Sequence, residues 1–504
     1  MGSLVRKATG ASSIGYGVNI LELLPPGVVS GTRSNVVGIV GDFPWGPTNE
    51  IQRITTGAEL FSTFCPEPFG AANSYAALRA FLRKTFAGGL RIVRILAGSA
   101  ANATRTFQDA AGTPANSVTV TAACKGALGN SISVAWSVNA DDATARDATV
   151  TIGTSYSVRY KQVATIVSTA LVVTDPGDPY VTFSKASGAT LVPAVISATA
   201  LASGSDGTAV AGDYVGSSSS AKGIRLFYAE TADADVDVLF VAECPSALAD
   251  SINDGLLAYV QDTDKGMAVL CTPDGQSSST ALTYVADYHD DRLVYPWPRA
   301  KTTNLYDSDL DEIEVDGNAF VAAAIVALDP ELSPGGASGK DALVGITGLE
   351  VETTSGATYD DLKDAGVCCF FLSKNLGPIL YGGITTSITS GLTQISRRRM
   401  TDFITESIAA FAETFVSKPL DLVLASQSLG PETGALVSAI DDFLAGLKGA
   451  NRIQSYALDA FGGNIQDELD VGRWTIVLSV KLFAPMDEIV LKANIGETVN
   501  IEES

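Results

Sequence analysis

The sequence predicts a multidomain protein of mixed class: an α/β domain, a β-rich insertion within it, and a C-terminal α+β region with extended terminal arms. Three observations carry that expectation. Short β-branched runs alternate with stretches of helical periodicity on both sides of residues 101–223. Within 101–223 the composition turns to Thr, Ser, Ala and Val, with turn signals at short intervals. After residue 386 two helical stripes are followed by extended segments. A chain of 504 residues, 46% of them hydrophobic, is too long for one core and can fill several.

Residues 1–34 are expected to be an extended N-terminal arm. Gly17-Val18-Asn19-Ile20-Leu21-Glu22-Leu23 reads as a short strand, set apart by glycines before it and by Pro25-Pro26-Gly27 after it. A lone strand can neither satisfy its backbone nor bury a face. Val18, Ile20, Leu21 and Leu23 therefore need a partner edge, in this subunit or in another copy.

The α/β domain is assigned to 35–100 and 224–385. Asn35-Val36-Val37-Gly38-Ile39-Val40-Gly41 suits a strand buried on both faces, Tyr75, Leu78, Leu82 and Phe86 fall at helical spacing within Ala72 to Phe86, and Leu90 to Leu96 resumes as strand. After the insertion, Val236–Ala242 and Met267–Cys271 read as strands flanking a helix from Ala247 to Asp262. The prolines of Tyr295-Pro296-Trp297-Pro298 exclude a helix there, Asn318–Leu328 reads as a helix of small residues, and Gly366–Leu372 is an apolar buried strand. The insertion, 101–223, carries alternating pieces such as Ser117–Thr121 and Ser131–Trp136 and exits through the polar Ser217–Ser220.

The C-terminal domain is assigned to 386–495 and a terminal arm to 496–504. Ile404, Ile408, Phe411 and Phe415 make one helical stripe, with Thr401 or Asp402 placed to cap its start. Leu436, Val437, Ile440, Phe443, Leu444 and Leu447 make a second, which stops at Gly449. Trp474, Ile476, Leu478, Val480 and Leu482 alternate with polar residues as a half-buried strand, and Ile489–Ile495 follows as another. Trp474, Ile476, Leu478, Ile489 and Leu491 are thus candidates for a receiving sheet, and Val499 and Ile501 for a strand donated by the C-terminal arm.

Charge and composition exclude several functions. A formal net charge of −23, from 56 acidic against 33 basic residues, makes broad contact with a phosphate backbone repulsive, so no nucleic-acid partner is expected. The six cysteines form no metal-holding spacing, and no metal or cofactor is expected. With His289 as the lone histidine and no Gly-x-Ser-x-Gly elbow, a catalytic triad has little to be built from. Gly335–Asp341 imitates a phosphate loop, but Pro334 takes the first glycine position and Asp341 stands where a hydroxyl is needed. The acidic run Asp307–Glu314 lacks the glycine and closing glutamate of a calcium loop and reads as a solvated face. The N-terminus does not read as a signal peptide. No window reaches the roughly 18 to 20 apolar residues of a membrane span, so no direct membrane insertion is expected.

Several segments, in shared order, resemble the contractile phage tail sheath proteins: Val36–Gly41 with Trp45-Gly46-Pro47-Thr48-Asn49-Glu50, Ile54-Thr55-Thr56, Glu59-Leu60-Phe61, Gly88-Gly89 with Arg91–Ile95, Lys125–Asn130, Leu201–Gly207, Ile395–Ile404 and Asp470-Val471-Gly472. Each is short and glycine-dependent, and their order is the stronger signal. Two places depart from the family pattern, Val18-Asn19-Ile20 in the first strand and the turn Gly462-Gly463-Asn464.

The resemblance implies a subtilisin-like α/β domain without catalysis and a chain that assembles with itself as stacked hexameric rings around an inner tube. It implies a tail tube protein, baseplate and tail terminator proteins as further partners, a place in the virion tail after assembly in the host cytoplasm, and arms that add strands to neighbouring subunits. A tailocin or related injection particle is the alternative within that class. A hydrolase, or an exported β-rich adhesin, is the alternative outside it. The dense basic run Arg397-Arg398-Arg399 is read as local pairing with acidic residues or as a contact to an acidic tube or neighbour.

Overall fold

The structure, a computed structural model, describes residues 6–7, 19–20, 29, 31, 35–64, 66, 69, 89–303, 312–352, 355–389, 391 and 393–486. The expected helix within Ala72–Phe86 and the site candidates Val18, Leu21, Leu23, Ile489, Leu491, Val499 and Ile501 lie outside the described residues. The described chain divides into a larger unit within Arg33–Arg399 and a smaller one that contains Met400–Ala484.

The larger unit is built on an eight-stranded sheet in the order Gly377–Leu380, Val367–Ser373, Leu293–Trp297, Met267–Val269, Val238–Val241, Val37–Gly41, Leu90–Arg94, Ile51–Ile54. The six inner strands run parallel and the two edge strands antiparallel. Because successive side chains on a strand point to opposite faces, each β-branched run feeds two cores at once. Ile39, Ile92, Phe240, Val269, Cys368 and Phe370 enter one core, with the helix Asn318–Val326, buried from Asn318 to Ile325. Val40, Val93, Leu239, Val241, Ala268 and Cys369 enter the other, with helices Ala249–Thr263, Ser278–Val285 and Gly356–Asp364. The adjacent Cys368 and Cys369 thus serve opposite faces, and burial pushes the Cys368 thiol up to about 12.

The strands between Thr104 and Ala200 form two antiparallel sheets around Trp136, Phe107, Phe183 and a set of buried valines and alanines. One sheet runs Ala170–Val173, Tyr156–Val167, Ala145–Ile152, Ile132–Val138, Ile196–Ala200; the other runs Val181–Lys185, Asn116–Ala122, Thr104–Gln108. Bridges Thr104 to Ala202 and Asp109 to Pro193 link them on one side, and Lys185 Nζ reaches Leu171 O (3.0 Å) on the other. A sheet nearly closed on itself leaves few exposed ladder edges.

In the smaller unit, the helix that continues through Met400 to Ala412 and the helix Pro431–Gly449 pack around Met400, Ile404, Leu436, Ile440, Leu444, Leu447 and Ile453. The first of these helices starts at Ile395, not at Thr401 or Asp402 as the capping pattern suggests. Arginine is a good helix former, and Ile395 is itself fully buried, so tertiary contacts carry the helix back through the arginine run.

Candidate functional site

Four places bear on function. The first is the two-stranded antiparallel sheet of the smaller unit, Ser455–Asp459 with Val477–Lys481. Tyr456 lies opposite Val480 and Leu458 opposite Leu478, and these four pack on the helical core, while the alternate residues face solvent. Leu478 is therefore an inward residue of this sheet. Trp474 and Ile476, expected within the strand, precede it. The Trp474 indole N–H donates to Ala460 O (2.8 Å), and Asn464 exchanges two bonds with Thr475 (2.7 and 2.8 Å), so side chains and not a ladder hold that stretch. The partner strand Ser455–Asp459 has no strong alternating apolar signal, and sequence reasoning missed it. Neither outer edge of this sheet has a ladder partner among the described residues. Two-residue pieces near the N-terminus, Arg6–Lys7 and Asn19–Ile20, pair in parallel within the chain, giving the backbone of Ile20 a local partner.

Next to this sheet the helix Pro431–Gly449 begins at Gly430, which has no side chain with which to cap it. Asp421 supplies the missing acceptors, with Oδ2 taking the N–H of Glu432 (3.0 Å) and Oδ1 that of Thr433 (2.9 Å). A cleft of about 260 Å³ lies beside it, lined among others by Phe415, Lys418, Leu436 and Trp474.

The second place is the arginine run. Arg398 pairs with Asp291 (3.0 Å), both side chains largely buried. Arg399 is 7% exposed; its Nη2 donates to Asn35 Oδ1 and Leu328 O, both at 3.0 Å, and Nη1 approaches Asp329 O at 3.4 Å. Burial lowers its basicity to about 10, partly offset by Asp237, Glu331 and Asp329, so it remains a cation near neutrality.

The third place is one that no single motif disclosed. Arg94, completely buried, donates to the carbonyls of Phe43, Pro44 (3.0 Å) and Gly46 (2.7 Å) and to that of Lys125 (2.9 Å). Asn130 exchanges bonds with Gly204 (2.9 and 2.8 Å), and Ala127 N donates to Asp206 Oδ1 (3.0 Å). Gly126 has φ 129°, and a Cβ there would lie 2.6 Å from Asp206 Oδ1. The Trp45-Gly46 loop, the Lys125–Asn130 turn and the Leu201–Gly207 segment, far apart in sequence, are thus one packed junction around a single guanidinium.

The fourth is the carboxyl end of the parallel strands beside Val37–Gly41 and Val238–Val241, where strand order reverses and where α/β folds usually bind ligands. Glu243, Cys244, Cys271, Thr272, Asp316 and Asn318 collect there. Burial raises the Cys271 thiol well above its usual range, with Cys244 and Asp316 adding to the effect, which leaves it a poor nucleophile. His289 is elsewhere: it precedes the strand Leu293–Trp297, is exposed, and sits 2.7 Å from Thr386 O through Nδ1. The Pro334–Asp341 loop is held against the end of the strand Gly377–Leu380, with Gly336 N bonded to Leu380 O (2.8 Å), and Lys340–Ala342 forms a short 3₁₀ turn. Among the described residues no group of three or more His, Cys, Asp or Glu side chains could hold a metal, and no helix is long and apolar enough to cross a membrane.

No protein-family model matches the chain, and no curated protein does. Solved structures match over nearly all of it. The sheath tail protein of Desulfitobacterium hafniense aligns with a TM-score of 0.60 at 15% identity, over 93% of this chain and 100% of that one. A sheath tail protein of Listeria innocua gives 0.59 at 16% identity, over 90% and 96%. The contracted helical sheath of the anti-feeding prophage gives 0.56 at 13% identity, over 96% and 99%.

Proposed function

We propose that this chain, which has the fold of the contractile tail sheath proteins, is a non-enzymatic structural subunit that polymerises with itself around an inner tube. In this reading subunits form stacked hexameric rings, anchor on a baseplate, end at a terminator and shorten to drive the tube through a cell envelope. The particle is a phage tail; a tailocin or injection particle is the alternative, supported by the likeness to the anti-feeding prophage sheath. A virion tail assembled in the host cytoplasm is the corresponding location.

The observation that carries this reading is the small sheet, neither edge of which has a ladder partner among the described residues, in a chain whose sequence places extended segments at both ends. An open edge is a template for strand addition. Strands donated around Val18–Leu23 and Val499–Ile501 by neighbouring copies would supply a handful of hydrogen bonds, at a net ~1 kcal/mol each. Such contacts are weak singly, but repeated around a ring they make a lattice that stays connected while globular faces slide. Contraction then requires an extended lattice that is metastable against a more fully packed one. A contact of Arg397–Arg399 with the tube or a neighbour is a subsidiary part of the reading. The bonds of Arg398 and Arg399 inside the larger unit favour a structural role for those two.

Deleting residues 1–24 is the test. The truncated chain is expected to keep its folded circular-dichroism signature and to lose the long tubes that the full chain forms in negative stain. Contractile tubes from the truncated chain would sink the arm-exchange reading, and a full chain that never forms rings or tubes would sink the sheath reading itself.

A further inference from the structure

Two carboxyl groups at the carboxyl end of the parallel strands have no use in the assembly reading. Glu243 follows the strand Val238–Val241 in a left-handed backbone conformation, φ 47°. A non-glycine residue is held in that region only by its surroundings. Its carboxyl accepts the backbone N–H of Asp316, and its Oε1 is buried with no hydrogen-bond partner. Asp316, fully buried, accepts from Thr272 N, Asn318 N and Asn318 Nδ2, each at 3.2 Å. Since the Asp316 N–H touches the Glu243 carboxyl, the two acids are held about one side chain apart.

The nearby cation, Arg299, favours ionisation of both acids but does not outweigh their burial. Arg299 spends Nη1 on Thr272 O (3.1 Å) and on the exposed Asp274 (3.0 Å), and its Nε is buried without a partner. None of the other titratable groups facing the site, Cys244 and Cys271 from adjacent strand ends and Tyr295 from the next strand, can carry a positive charge, and burial keeps the Cys271 thiol and the Tyr295 hydroxyl protonated near pH 7. Glu350 faces Gly275 instead, accepting its N–H (2.5 Å). Two adjacent buried carboxylates without an ion pair cannot both be ionised at tolerable cost.

We propose that Glu243 and Asp316 together hold a proton at neutral pH where the strand Val238–Val241 meets the first turn of the helix Asn318–Val326, and that this junction is destabilised by uncompensated buried charge when the proton leaves in alkaline solution. Burial outweighs the opposing charge of Arg299 at both groups: with Asp316 adding to the effect it pushes Glu243 up to about 8, and it pushes Asp316 up to about 7 against the N–H bonds of Thr272 and Asn318. A raised folded-state pKa contributes stability that is complete below the unfolded value and is lost as pH rises through the folded one, so the window runs from about pH 4 to about 8. The pair titrates as a unit.

The experiment is urea unfolding of the full-length unassembled chain from about pH 5 to about 9. Each held proton raises the unfolding constant of wild type about tenfold per pH unit inside the window. Glu243→Gln, which keeps size and removes ionisation, is expected to flatten that slope and to be more stable than wild type near pH 9. Equal slopes in the two proteins would overturn the proposal. If Glu243→Gln does not fold, the infrared C=O stretch of protonated carboxyls decides: wild type is expected to show it at about pH 7 and to lose it by about pH 9. Its absence at about pH 7 would overturn the proposal equally.

Discussion

Replacing Arg399 by alanine tests whether the arginine run is internal scaffolding or a docking surface. The substitution removes two hydrogen bonds of 3.0 Å from a charged donor and one weaker approach at 3.4 Å. Bonds from charged groups are worth about 1.5–3 kcal/mol each, and the stranded acceptors Asn35 Oδ1 and Leu328 O add a desolvation cost. It also takes away a cation that acts on Asp237, whose carboxyl accepts the N–H of Val36 (2.6 Å) and is pushed by burial up to about 6, with the N–H bond and Arg399 opposing. The expected loss is about 3–5 kcal/mol, the range for breaking one side of a buried charged network. Urea unfolding of the unassembled chain reads it directly. Without Arg399 the Asp237 carboxyl rises further, and stability tied to a raised carboxyl is lost as pH increases, so the deficit is expected to be larger at about pH 7 than at about pH 5. Arg399→Lys keeps the charge but not the planar fork and should recover only part of the loss. A variant within about 0.5 kcal/mol of wild type that nonetheless failed to polymerise would refute the internal role and restore the surface one.

Other substitutions test neighbouring features. Asp421→Ala should cost about 1–2 kcal/mol by uncapping Pro431–Gly449, measured as a lower urea midpoint of the smaller unit. Burial raises the Asp421 pKa, but the N–H bonds of Thr433 and Glu432 outweigh it and leave it below the ordinary carboxylate value; the cap is therefore present above about pH 4 and lost as pH falls through the depressed value. Gly223→Ala should destabilise by more than about 2 kcal/mol, because Gly223 has φ 56° and a Cβ would overlap the Tyr214 carbonyl; limited proteolysis near Ser217–Ser220 is expected to accelerate, and an unaltered pattern would count against it.

Much of the framework was legible from local patterns. Runs such as Val36–Val40 and Val238–Val241 are apolar at every position because both sheet faces are covered, and that needs no knowledge of which strands are neighbours. The stripes at Ile404, Ile408, Phe411 and Phe415, and at Leu436, Ile440, Leu444 and Leu447, pointed to two helices packed through those faces. The start of the first helix was misread because Thr401 and Asp402 have the right chemistry for a cap, whereas the preceding turn is held by tertiary contacts, Ile395 N to Gly383 O and Arg399 to Asn35, 364 positions away. The strand Ser455–Asp459 escaped notice because only Tyr456 and Leu458 are large and apolar, and its existence depends on Val477–Lys481 lying opposite.

Periodicity, glycine placement and charge are properties of neighbouring residues, and they suffice for the class of the elements, the scarcity of catalytic groups and the likeness to sheath proteins. Which strands adjoin, that Arg94 ties the Phe43–Gly46 loop to Lys125, that Arg398 and Arg399 turn to partners in the larger unit, and that Glu243 meets Asp316 all depend on contacts between residues far apart in the chain. Such contacts leave no local signature, because a side chain's partner is chosen by the path of the backbone and its protonation by what that path excludes from water.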